Sequence, residues 1–146
     1  MCAVFGCGPP RLNYRVKHIN RMSKDMEHVE LTHIDGSDFV AVASGSLKGV
    51  GGSSGHSRIP EELPKEALLK WTDGEGVSRK RILKLRDAVV GKLDLTSGEG
   101  EIHICFNEDG TISVVLVHRN RRALNYDESE TVIAEYTQDE ISYPAP

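Results

Sequence analysis

Cys2 directly follows the initiator methionine. Loss of Met1 would leave its thiol beside its own α-amine, a pairing in which the amine acts as base and the sulfur as nucleophile. Cys7 suggests different chemistry. Val4 at −3, Gly6 at −1 and Cys7 at +1 fit a lipobox, the cleavage site after which a cysteine is acylated. The basic n-region and the apolar stretch of about 7–15 residues that such a signal needs would lie upstream of Met1. Gly8-Pro9-Pro10 cannot extend a helix and suits a tether. A third candidate is the cluster Ser53, Ser54, His56 and Ser57. A nucleophile elbow needs G-x-S-x-G between a strand and a helix, but here Arg58-Ile59-Pro60 follows. No GxxxxGK[ST] phosphate cradle is present. His28, His33 and His103 could share a sheet face and hold a metal. Without spaced acidic ligands, packed or solvated histidines are the simpler reading. No catalytic residue, metal site or cofactor is therefore expected.

The elements that must position any site are short. At 146 residues the chain fits one domain with a real core. Eighteen basic residues against 22 acidic ones give a net charge of −4, which argues against non-specific nucleic-acid binding. No run approaches the length of a membrane-spanning helix. The three cysteines, at 2, 7 and 105, form no metal-spaced pair. Processing at Cys7 would leave Cys105 without an intrachain partner apart from the acylated cysteine, so the core should not depend on disulfides.

Residues 11–19, "RLNYRVKHI", alternate Leu12, Tyr14 and Val16 against Asn13, Arg15 and Lys17, the period of a half-buried strand. "HVELTHI" repeats it with Val29 and Leu31, Asp35-Gly36 is a turn, and "FVAVA" (39–43) resumes as a strand. Residues 44–58, rich in glycine and serine, predict a long loop. "EALLKW" (66–71), "TDGEG" and "VSRKRILKL" (77–85) form strand, turn and strand, with room for a helix across 61–70 or 79–93. "EIHICF" places Ile102, Ile104 and Phe106 on one face, "NEDG" turns, and "TISVVLVHR" is apolar on both faces from Val114 to Val117. A strand covered on both faces belongs mid-sheet, so this hairpin should be the centre of the core. "ETVIAEY" (130–136) is the last strand. The expected fold is mainly β: an antiparallel β-sandwich or open barrel of about seven short strands, with room for one short helix. Residues 1–10 would be a signal remnant or tether, 11–138 a single β domain and 139–146 a tail.

Two resemblances bear on function. "MCAVFG", with "GHSRI" (55–59), resembles the start of class II glutamine amidotransferases, which would make Cys2 the nucleophile. Position 3 is Ala where that family has Gly, and no HRGPD-like segment or Asn-Gly oxyanion pair follows. The second lies in the Gly-rich segment 45–58, Leu63-Pro64, Leu68–Trp71, Gly100–Phe106, Asp109-Gly110 and Ile112–Val117. That order resembles small bacterial lipoproteins of unknown-function class encoded beside type VI secretion phospholipase effectors, similar to their immunity proteins. The family's paired cysteines before "LP" are replaced here by Gly55-His56-Ser57.

The second resemblance implies a non-enzymatic immunity lipoprotein that is periplasmic, anchored through Cys7, and blocks a secreted lipase. It needs a rigid scaffold and protruding polar loops. Loop 44–58 and turn 72–76 are the expected contact, with Lys48, His56, Arg58, Asp73 and Glu75 at the rim. Trp71, the only tryptophan, is either core or an interface anchor. The expected partner is a protein, with no nucleic acid, and with membrane contact only through the lipid. Without the Cys7 anchor, the alternative is a cytosolic β-rich accessory or phage-borne structural protein.

Overall fold

A computed structural model of the chain describes residues 14–59, 62–89, 91–92, 100–120 and 127–138. Cys2, Cys7, the expected tether and the expected tail lie outside the described residues.

Strand β1 (Tyr14–Asn20) keeps the predicted alternation: Tyr14, Val16, His18 and Asn20 are buried, while Arg15, Lys17 and Ile19 are half-buried. In β2 (Met26–His33), His28 takes a φ of 53°, a left-handed conformation that breaks the rhythm. Met26, Val29 and Leu31 still reach the core. Strands β3 (Asp38–Leu47) and β4 (Gly52–Ile59) follow, then β5 (Ala67–Thr72) and β6 (Ser78–Leu83). The helix allowed for within 79–93 is α1 (Leu85–Val89), which buries Leu85 and Val89. Strands β7 (Gly100–Phe106), β8 (Thr111–Asn120) and β9 (Asp127–Thr137) complete the chain order.

The strands form two sheets, one ordered β4-β1-β7-β8-β9 and the other β3-β2-β5-β6. The fold is mainly β, sandwich-like and not a closed barrel, as the alternation predicts. One core joins the sheets. Tyr14, Val16, Ile102, Ile104, Phe106 and Val114 come from the first, and Met26, Leu31, Leu69, Trp71 and Leu83 from the second. The rings of Trp71 and Phe106 meet edge to face, with centroids 5.2 Å apart, and stitch the two layers together. Each such side chain contributes roughly 1.5–3 kcal/mol by burial.

Every residue of β7 is buried, and this strand is the middle one of five. On its outer face Cys105 packs with Val115 and Val117 in a second, smaller cluster. Burial raises the pKa of the Cys105 thiol, so it stays protonated and unreactive.

Two details depart from expectation. Residues 44–58 are not a long loop: they finish β3, turn at 48–51 and supply β4. Glycine and serine bury little, but β4 needs only its backbone to pair with β1 along Tyr14–Asn20. This hairpin helps bring the described strands to nine rather than about seven. The five-stranded sheet is also mixed, because β1 and β7 pair in parallel from Arg15↔Glu101 to Asn20↔Phe106.

Candidate functional site

The parallel pairing has a geometric consequence. β1 and β7 leave the sheet at the same end, so the β1–β2 connection (21–25) lies beside the β7–β8 turn (107–110). Arg21 N–H donates to the Phe106 carbonyl at 2.9 Å. The Ser23 amide and hydroxyl donate to the two Glu108 carboxylate oxygens at 2.6 and 3.0 Å. The β3–β4 turn and the β5–β6 turn arrive at this end as well. Met26, at the start of β2, pairs with Leu47, and its neighbour Glu27 pairs with Thr72. Four turns from both sheets thus form one end of the sandwich.

Asn20 is the hub of this end. It is fully buried on the inward face of β1. Its Nδ2 donates to the carbonyls of Lys24 (2.8 Å) and Leu47 (3.1 Å), and its Oδ1 accepts from the Met22 amide (2.9 Å). Its own carbonyl accepts from Gly51 N–H, and Met22's carbonyl accepts from Val50 N–H. Asp25 joins the same two segments from outside, accepting from the Gly49 amide at 2.8 Å and from Lys48 Nζ at 3.3 Å. Those two bonds hold its carboxyl below the ordinary carboxylate pKa. Gly49 sits so close to this connection that a Cβ there would lie 2.5 Å from the Ser23 carbonyl oxygen.

The β5–β6 turn is organised by Asp73. Its Oδ1 accepts from the amides of Glu75 (2.9 Å) and Val77 (3.0 Å), and its Oδ2 from Arg79 Nε (2.7 Å). Burial acts to raise the Asp73 pKa. The Arg79 bond, the two amides and the Arg79 charge outweigh it, so the carboxyl lies below its usual value. Arg79 Nη1 reaches on to the Gln138 carbonyl (2.8 Å), and Gln138 Nε2 donates to the carbonyls of Asn107 (3.1 Å) and Thr111 (2.8 Å). The turns of the two sheets are thereby braced through largely buried polar groups. Lys24 Nζ links across to Glu75 at 3.1 Å on the exposed side. A cleft of about 240 Å³ opens between the 21–25 connection, the 73–77 turn and the 107–110 turn.

The expected contact residues divide. Lys48, Asp73 and Glu75 meet at this end, with Lys48 and Glu75 exposed. Asp73 is an internal brace rather than a rim contact. His56 and Arg58 do not join them. They lie on β4, where His56 pairs with Val16, and β4 runs away from this end between Gly52↔Asn20 and Ile59↔Tyr14. At a strand rise of ~3.3 Å per residue, Arg58 stands about 20 Å along β4 from Gly52. Trp71 is 2 % exposed and belongs to the core, not the surface. Arg79 is bonded to Asp73 and Gln138, and Arg81 lies over the Tyr136 ring at 5.4 Å.

Asn20, Ser23, Lys24, Asp25 and Glu108 were not among the expected site residues. The Tyr14–Val16 rhythm, carried to position 20, marks Asn20 as an inward polar residue and is the local signal for it. His28 and His33 lie on β2 and His103 on β7, in different sheets, so they share no face. Among the described residues no group of three metal-ligating side chains converges. The serines 53, 54 and 57 are strand residues of β4, not an elbow before a helix.

No protein-family model matches the sequence, and no curated protein matches it. Among solved structures, an NMR structure of a protein from Eubacterium rectale is similar, with a TM-score of 0.44 and 15% identity. The match covers 75% of this chain and 92% of that chain.

Proposed function

We propose that the protein is a non-enzymatic immunity-type binding protein that occupies and blocks a secreted phospholipase in the periplasm, tethered there through an acylated Cys7. The observation that supports this reading is the loop end. Turns from both sheets lie side by side, held from within by Asn20, Asp73 and Gln138, while Lys24, Lys48 and Glu75 stand exposed. A surface ordered before binding avoids the cost of ordering it on contact. Exposed charges on such a surface steer encounter and select partners more than they add affinity. The order of the Gly-rich, "LP", Trp and Val-rich segments supports the choice of partner class.

The reading predicts a phospholipase effector gene beside this one. Producing that effector in the periplasm should kill cells lacking this protein and spare cells that have it. The double variant Lys48→Glu, Glu75→Lys keeps the fold and should lose protection. Full protection by that variant, with the fold intact, would remove the loop end from the mechanism. Palmitate labelling that disappears in Cys7→Ser tests the anchor separately.

A further inference from the structure

We propose that the cleft at the loop end is a socket for one arginine side chain of the bound protein, with Glu108 as its principal carboxylate. The inference rests on the loop end being the binding surface and names what that surface takes. At about 240 Å³ the cleft is smaller than the ~300–1,000 Å³ of small-molecule sites. It has room for one long side chain. Met22, Gly74 and Gly110 line it with carbon and backbone, suiting an aliphatic stem, and Lys24, Glu75 and Glu108 supply the charge.

The charges favour a cation. Asp73 and Arg79 also line the cleft but neutralise each other at 2.7 Å. Arg79 is further committed to the Gln138 carbonyl, so it does not offer an anion site. Glu75 faces Lys24 at 3.1 Å, but both side chains are more than half exposed, and such a pair is weak and readily exchanged. Among the described residues Glu108 accepts only from the Ser23 amide and hydroxyl, both uncharged. Among the described residues no cation lies within ion-pair distance of it. An ionised carboxylate has about four acceptor positions, so roughly two remain after Ser23. A guanidinium matches that remaining capacity better than an ammonium, because its planar fork donates two parallel bonds. Arginine is also enriched at the energetic centres of protein interfaces.

The test uses the full chain, ¹⁵N-labelled, titrated at constant ionic strength with N-acetyl-arginine methylamide and, separately, N-acetyl-glutamate methylamide. The arginine probe should shift the amides of Ser23, Gly74 and Gly110 saturably, with a dissociation constant on the order of 10 mM, and the glutamate probe should not. Glu108→Gln should weaken the arginine probe at least about tenfold. Lys24→Gln, which removes the competing ammonium, should tighten it, an effect that a purely structural role for these residues would not produce. No saturable shift, equal response to both probes, or unchanged binding in Glu108→Gln would overturn the socket. Because the probe is not the effector, that failure is distinct from a failure of the loop end to protect cells.

Discussion

Asn20 holds the loop end together more firmly than the ion pairs on its surface. It is buried and makes three side-chain hydrogen bonds, whereas the Lys48–Asp25 pair is exposed on both sides. Exposed pairs contribute about 0–1 kcal/mol, while leaving a buried carbonyl without its donor costs about 1–3 kcal/mol. Asn20→Asp turns the donor to Lys24 and Leu47 into an acceptor, and urea unfolding should show a loss of about 2–4 kcal/mol. Lys48→Ala should stay within about 0.5 kcal/mol of the parent. Trp71 calls for the opposite comparison. Among the described residues its buried Nε1 finds no hydrogen-bond partner, so Trp71→Phe loses volume but none of the described bonds. Denaturation should show a cost of about 1–2 kcal/mol, with affinity for the proposed effector unchanged.

His18, buried in β1, has its pKa lowered from 6.5 to about 4 by burial. Its neutral form is the folded form. The stability it contributes is complete above pH 6.5 and is lost as pH falls from about 6.5 to about 4, by about 3 kcal/mol in all. Urea midpoints should fall through that window, and His18→Gln should flatten the fall.

At the scale of elements, the sequence announces what neighbours in the chain decide. The β7–β8 hairpin is legible because Ile102, Ile104 and Phe106 alternate up to an Asn-Glu-Asp-Gly turn. In that turn Gly110 takes a φ of 85°, and Asp109 accepts from the Thr111 amide and hydroxyl. The β3–β4 hairpin is not legible, because glycine and serine carry no burial rhythm and β4 owes its place to β1. The parallel β1–β7 pair joins residues separated by most of the chain, and no local pattern encodes it. With that pairing hidden, Ser23 and Glu108 could not be brought together from spacing alone. The exposure of Lys48 and Glu75 was legible because charged turn residues protrude wherever their strands lie. His56 and Arg58 were misplaced because their segment is a strand.

Gly49 shows how tightly these elements meet. The obstacle to a Cβ is backbone of the 21–25 connection, which cannot swing aside as a side chain does. Gly49→Ala should therefore cost about 1–3 kcal/mol in unfolding and increase hydrogen exchange at Val50 and Gly51, whose amides bond to Met22 and Asn20.

For the whole molecule, the two ends of the sandwich differ. The far end carries a larger groove of about 650 Å³ lined by His33, Asp35, Pro64, Lys65 and Arg86. At the loop end, Asn20, Arg79 and Gln138 join turns of both sheets. A protein that acts by occupying another should use the end whose shape is set before contact, and the proposed function depends on that choice. Hydrogen–deuterium exchange of the protein, free and bound to the phospholipase effector proposed as its partner, tests this most directly. Binding should slow exchange at Ser23–Asp25, Lys48–Gly51, Gly74–Gly76 and Glu108–Gly110 together. Protection confined to the far end, at His33–Ser37 and Glu62–Glu66, would contradict it.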